Sequence, residues 1–168
     1  VTIDLQGPFP LSTSKNRYLA VIEDLFSRYI VCYPLKNKKG QTVRAAFEKY
    51  CLQFGFPNKV VTDNGKEFIC AEFMEYLKSA SIIHERTGAF NPTGNAVVER
   101  SNRTIKTMIA AYIEDNHKLW DKHLNEIELA INTSKHAATR ETPARLFFGR
   151  EIFPPKCWRR LAEMPEII

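Results

Sequence analysis

Cysteine is scarce: Cys32, Cys51, Cys70 and Cys157 are the four in 168 residues, without the paired spacing of a zinc site or a disulfide framework. The four histidines, at 84, 117, 123 and 136, do not sit near them in a ligand pattern. Reduced thiols and an intracellular protein are therefore expected. Long apolar runs are also missing. No stretch approaches the roughly 18 to 20 residues that cross a bilayer, and the start lacks the basic-then-apolar layout of a secretory leader. No membrane partner is expected. There is no internal repeat and no low-complexity segment. The chain has no initiating Met and begins at Val1 inside a strand-like run, which predicts a domain cut from a longer protein.

What is present suffices for one core. The chain is 44% hydrophobic, with 11 Phe, 6 Tyr and 2 Trp. Lys and Arg number 24 against 19 Asp and Glu, giving +5 at pH 7. That balance favours a polyanionic partner, although many small domains are mildly basic.

Val1, Ile3 and Leu5 alternate with Thr2, Asp4 and Gln6. A strand here puts its apolar side chains on one face and Asp4 on the other, before Pro8 and Pro10 end the pairing. Runs at Tyr18 to Ile22 and Tyr29 to Leu35, joined around Ser27-Arg28, read as an antiparallel meander. From Thr42 the period becomes helical through Val43, Ala46, Phe47, Tyr50, Cys51 and Phe54, with Gly55 and Pro57 as the stop. Lys59 to Thr62 reads as a short buried strand, Phe73 to Ala80 as a helix with Phe73, Tyr76, Leu77 and Ala80 inward, and Ile82-Ile83 as a fifth strand. A loop over Thr87 to Gly94 should precede a long helix from about Asn95 to Glu114, with Val98, Ile105, Ile109 and Tyr112 as its core stripe. A further helix carries Trp120, Leu124, Ile127 and Ile131, and Thr142-Pro143 opens a short helix ending at Gly149. The sum is an α/β domain: a five-stranded mixed sheet flanked by helices over residues 1–153, with 154–168 as a linker or tail.

Three carboxylates carry the chemistry: Asp4 on the first strand, Asp63 at the end of the fourth, and Glu99 in the first turns of the long helix. Ligands of α/β sheets sit at the carboxyl ends of parallel strands, where Asp4 and Asp63 can meet. Carboxylate oxygens suit Mg²⁺, which takes a few acids plus water and phosphate oxygens. Two such ions about 4 Å apart can activate a water or a 3′-hydroxyl and stabilise the leaving oxygen at phosphorus. The metal charge also lets clustered acids stay ionised. Taken singly, each acid has an ordinary reading: Asp63-Asn64-Gly65 is a turn, Glu99 an acid in a helix's first turn, Asp4 a solvated strand residue. On the long helix, Asn95, Glu99, Asn102, Arg103 and Lys106 share a face beside the core stripe, either gripping phosphate or forming a solvated Glu99–Arg103 pair.

These residues, with their flanks, resemble the catalytic core of retroviral and LTR-retrotransposon integrases, most closely the gypsy-type elements. The matching stretches are Asp4-Leu5-Gln6-Gly7-Pro8, Asp24-Leu25-Phe26-Ser27-Arg28-Tyr29 and Phe54-Gly55-Phe56-Pro57, then Val61-Thr62-Asp63-Asn64-Gly65-Lys66-Glu67-Phe68. Downstream come residues 91–104, from Asn91-Pro92-Thr93-Gly94 through Glu99-Arg100 to Thr104, then Ile131-Asn132-Thr133-Ser134-Lys135-His136 and Thr142-Pro143-Ala144 through Arg150. The thirty-five residues between Asp63 and Glu99, 64–98, are that family's own spacing.

The resemblance implies a ribonuclease H-like fold and a DDE-type transferase working with Mg²⁺ or Mn²⁺, two ions in the DNA-bound state. It implies trimming of the element's DNA ends by water, then joining of the exposed 3′-hydroxyls to target chromosomal DNA, in a homo-oligomer. It implies a nuclear site of action, reached from a virus-like particle. By the same resemblance Asp4, Asp63 and Glu99 are the catalytic metal ligands. Asn95, Asn102, Arg103 and Lys106 match positions that contact the element's DNA ends, and Lys66 matches one near target DNA. The loop Pro92-Thr93-Gly94-Asn95-Ala96 departs from relatives that place Asn then Gly, and the family's N-terminal zinc module and C-terminal DNA-binding domain are not in this sequence. Two other readings compete. A ribonuclease H would take a further acid from the first helix, for which Glu48 is the candidate. A host-captured relative would bind DNA or protein without catalysis.

Overall fold

The computed structural model describes residues 1–86, 92–113 and 116–155, with 92–100, 112 and 113 as backbone only. Among these residues five strands form one mixed sheet: β1 (Thr2–Gln6), β2 (Tyr18–Glu23), β3 (Ile30–Leu35), β4 (Lys59–Thr62) and β5 (Ile83–Arg86). Their order across the sheet is β3-β2-β1-β4-β5. The β1–β2 and β2–β3 pairs are antiparallel, and β1–β4 and β4–β5 are parallel. The expected meander forms, because Asp24 builds its turn: Asp24 Oδ2 accepts from the Ser27 backbone N–H at 2.8 Å and from Ser27 Oγ at 2.6 Å.

Among the described residues six helices flank the sheet: α1 (Gly40–Phe54), α2 (Lys66–Ile69), α3 (Ala71–Ser79), α4 (Pro92–Ile113), α5 (Leu124–Thr133) and α6 (Pro143–Phe148). Each sheet face has its own core. On one, Ile3, Ala20, Ile22, Val31, Tyr33 and Val60 pack against Val43, Phe47, Tyr50, Phe73 and Leu77 of α1 and α3. On the other, Leu19, Val21, Ile30 and Cys32 pack against Ile105 and Ile109 of α4, Trp120, and Leu124 and Ile127 of α5. The period-two pattern of β1 and the helical stripes of α1 and α3 are thus realised as expected. Ile105 and Ile109 fill the core as expected from α4; Val98 and Tyr112 fall outside the described side chains.

Several boundaries differ from the sequence reading. The fifth strand runs Ile83–Arg86, not Ile82-Ile83: Ile82 N–H closes on Leu77 O at 2.9 Å, so pairing with Lys59 starts one residue later and leaves Ile83 64% exposed at the sheet edge. The long helix begins at Pro92, inside the expected Thr87–Gly94 loop, since a proline without an N–H suits a first helical turn; Thr87 to Asn91 lie outside the described residues. The helix expected through Trp120 and Ile131 is broken into a 3-10 turn, His117–Lys122, and α5. Trp120 drives the break by sending its Nε1–H to Pro10 O at 2.9 Å and stacking on Phe9, which pins the β1–β2 loop. A short helix, α2, follows the Asp63 turn in a stretch to which the sequence reading assigns no element. α6 is capped as the sequence indicates: Thr142 Oγ1 accepts from Arg145 N at 3.2 Å, and Gly149 closes the helix at φ 70°. The expected tail from residue 154 lies, beyond Pro155, outside the described residues.

α5 has a further task at the open edge of β3. Asn132 Oδ1 accepts from Ile30 N at 2.9 Å while its Nδ2 donates to Ile30 O at 2.8 Å. Glu128 Oε2 accepts from Cys32 N at 2.8 Å. Side chains thus stand in for a missing sixth strand.

Candidate active site

The β1–β4 pair is in register at Thr2 and Val61. Two residues further along each chain come Asp4 and Asp63. Side chains alternate across a strand, and neighbouring strands lie about 4.8 Å apart. Ile3 and Val60 enter the core beneath α1 and α3. That leaves Thr2, Asp4, Gln6 and, just past the strand end, Asp63 for the opposite face, where α4 crosses. Asp63 is held by its own turn, Oδ1 accepting from Gly65 N at 2.8 Å.

Asp4 is partly buried, and burial is the main cause that raises its carboxyl above the ordinary range. The Asp63 carboxylate raises it further. A hydrogen bond from Asn102, another with the Leu5 backbone and the Lys106 ammonium pull the other way. Asn102 Nδ2 donates to Asp4 Oδ2, and Gln6 Nε2 donates to Asn102 Oδ1 at 2.6 Å. The helix α4 is therefore tied to β1 by an amide chain that ends on the carboxylate.

These residues fit a hard divalent cation. Two anionic oxygen donors meet on one face, and the ionised form of one is disfavoured by burial and by its neighbour, a cost that a cation between them removes. Among the described residues no group of three or more His, Cys, Asp or Glu converges. Glu99 lies on the α4 backbone, one turn before Asn102, and its side chain is outside the described set, as is that of Asn95.

The other expected contacts separate. Lys66 is exposed at the start of α2, directly after the Asp63 turn. Arg103 and Lys106 are exposed on α4, and Lys106 is near enough to act on Asp4. Asn102 is engaged by Asp4 and Gln6, so its amide supports the carboxylate. Glu48 pairs with Arg44 on α1 at 2.8 Å, and that guanidinium lies over the Tyr76 ring. It thus belongs to the α1–α3 side of the sheet, across from Asp4, and offers no acid to this pocket.

Sequence reasoning missed two polar residues on this face. Gln6 is 4% exposed; its place in the Thr2-Asp4-Gln6 alternation was the available signal. Glu23 is 1% exposed and its carboxyl is raised by burial, against a hydrogen bond from Ser101 and the Arg28 guanidinium at 3.4 Å. A charge continuing the apolar run of β2 was its signal.

The profile of the integrase core domain family matches residues 1–92. Gypsy retrotransposon integrase-like protein 1 of Homo sapiens is 30% identical over 168 residues, covering 98% of this chain and 31% of that protein. The retrovirus-related Pol polyprotein from transposon 412 of Drosophila melanogaster is 32% identical over 171 residues, covering 99% of this chain and 14% of the polyprotein. The chain thus spans about a third or less of these relatives. Among solved structures, a chain of the simian T-cell lymphotropic virus intasome in complex with PP2A regulatory subunit B56 gamma superposes at a TM-score of 0.77 with 25% identity, covering 92% of this chain and 56% of that one. The HTLV-2 integrase catalytic core domain, in complex with magnesium in a trimeric form, superposes at 0.71 with 24% identity, covering 87% of this chain and 93% of that one. The sheet order, the helices on both faces and these superpositions establish the ribonuclease H-like fold expected from the sequence. With the family profile matched across the strands that carry Asp4 and Asp63, the chain belongs to the integrase core domain family.

Proposed function

We propose that this chain is the catalytic core of a DDE-type integrase, a metal-dependent polynucleotidyl transferase that trims element DNA 3′ ends and joins them to target DNA. The observation that carries the reading is the register of β1 on β4, which aligns Asp4 with Asp63 on one face beneath α4. Glu99, one turn before Asn102 on that helix, is the third acid. Asp4, Asp63 and Glu99 would hold Mg²⁺ or Mn²⁺, two ions once DNA is bound. The ions would supply a nucleophilic oxygen at neutral pH and charge for the leaving oxygen.

The chain's own residues supply position. Asn102 fixes the Asp4 carboxylate, and burial excludes water from its inner side. Lys106 holds positive charge beside the acids, where a phosphodiester can share it. Arg103 and Lys106 grip the phosphates of the element's end, together with Asn95 further back along α4, and Lys66 lies where target DNA passes the Asp63 turn. The partners are element-end and chromosomal DNA, acted on in the nucleus by a homo-oligomer.

The test is joining of a labelled duplex end to plasmid DNA in Mg²⁺ by Asp63→Asn and Glu99→Gln. Each is expected to lose at least roughly a thousandfold in rate, with unfolding temperature and most DNA binding kept. Joining at the wild-type rate by either variant refutes the site. A wild-type chain that binds DNA but joins nothing, within a full-length protein as well, favours a captured, non-catalytic relative.

A further inference from the structure

We propose that Gln6 is a positioning residue for Asp4, acting through Asn102, and that this relay sets how tightly the pocket takes a divalent cation. The inference rests on the metal-dependent reading above. Asp4, Asn102 and Gln6 are linked in series, and each link dictates the orientation of the next. Asn102 presents Nδ2 to Asp4, the orientation that a cation-bound, ionised carboxylate, which only accepts hydrogen bonds, requires. Asn102 Oδ1 then points at Gln6 and needs a donor, which Gln6 Nε2 provides at 2.6 Å.

The series ends on an unsatisfied acceptor. Gln6 Oε1 is buried and has no hydrogen-bond partner among the described residues. Turning the Gln6 amide over would set two carbonyl oxygens against each other. Turning Asn102 as well would point its carbonyl at the Asp4 carboxylate. The unpartnered oxygen costs stability, yet the Asp4 end of the series holds it in place. A residue buried to this degree that a hydrocarbon would serve better for folding is one whose use lies elsewhere. Its use here is to lock the Asn102 amide, and with it the carboxylate, before an ion arrives.

The experiment follows Mn²⁺ binding to the DNA-free chain by calorimetry, alongside thermal unfolding. Gln6→Met keeps side-chain length and removes both polar ends. The expected result is an unfolding temperature unchanged or raised, with Mn²⁺ affinity weakened about tenfold. A purely structural role would lower the first and leave the second. Asn102→Leu is expected to weaken Mn²⁺ at least as much, and Gln6→Met added to it should change nothing more. Should Gln6→Met lower the unfolding temperature, Gln6→Leu replaces it in the same cycle. A Gln6 effect that persists in full on top of Asn102→Leu overturns the relay. So does wild-type Mn²⁺ affinity in Gln6→Met while Asp4→Asn loses it, an outcome that spares the metal reading. A wild-type chain that binds no Mn²⁺, like Asp4→Asn, overturns both.

Discussion

Glu128 accepts the Cys32 N–H on the open edge of β3, and burial raises its carboxyl to about 7 from an ordinary 4.5. A raised acid is better protonated in the folded chain than in the unfolded one. Its contribution is therefore most favourable below the unfolded value and is lost as pH rises from about 4.5 towards 7. Gln keeps an acceptor for Cys32 and removes the charge. Glu128→Gln is thus expected to gain on the order of 2 kcal/mol over wild type at pH 8 and close to nothing at pH 4. Urea unfolding at the two pH values checks this, and an equal difference at both would show that ionisation of Glu128 does not report on folding. Asn132 does the neighbouring work without a charge. The matching stretch Ile131 to His136 therefore serves the sheet edge at this position.

The start of α1 shows how one element constrains another. A Cβ built on Gly40 would lie 2.0 Å from Cys70 Sγ and 3.3 Å from Glu67 O, so α1 and α2 meet closely there. Helix propensity alone favours alanine over glycine by up to about 1 kcal/mol. Packing reverses the sign. Gly40→Ala is expected to destabilise the chain by about 1–3 kcal/mol, and Cys70→Ala in the same chain to recover most of it. Chemical denaturation of the single and double variants measures both. A neutral Gly40→Ala would mean that the Cys70 thiol swings aside at no cost. Because α2 begins immediately after the Asp63 turn, this close approach also bears on how firmly that turn is held.

For the whole molecule, charge and layering act together. The excess of +5 is spread over a chain whose two cores lie on opposite sheet faces. The face carrying Asp4 is closed over β2 and β3 by α4 and α5, while β1 and β4 keep polar side chains where α4 passes. Arg103 and Lys106 stand exposed on that helix. Removing both with Arg103→Ala and Lys106→Ala should weaken DNA binding on any sequence and reduce the slope of log K against log salt by about 0.9 for each phosphate that is no longer neutralised. Titrations on duplex DNA at several salt concentrations test it, and an unchanged slope would return both residues to the solvated surface.

The alternation in β1, the stripe of α1 and the cap at Thr142-Pro143 were legible because each is a local pattern with a fixed period or a fixed neighbour. The Asp63-to-Glu99 spacing and its flanks were legible for the same reason, and they led to the family. Boundaries at Ile83 and His123 were not, because they depend on partners distant in the chain: the register on Lys59, and a tryptophan reaching back to Pro10. Sequence by itself determined which acids exist, which face of a strand Asp4 takes and what class of fold carries it. Only the tertiary structure decided that Asp4 stands beside Asp63, that Asn102 and Gln6 hold it, and that Glu48 does not. Periodicity orients a side chain within its own element, whereas register and packing between elements determine what it meets.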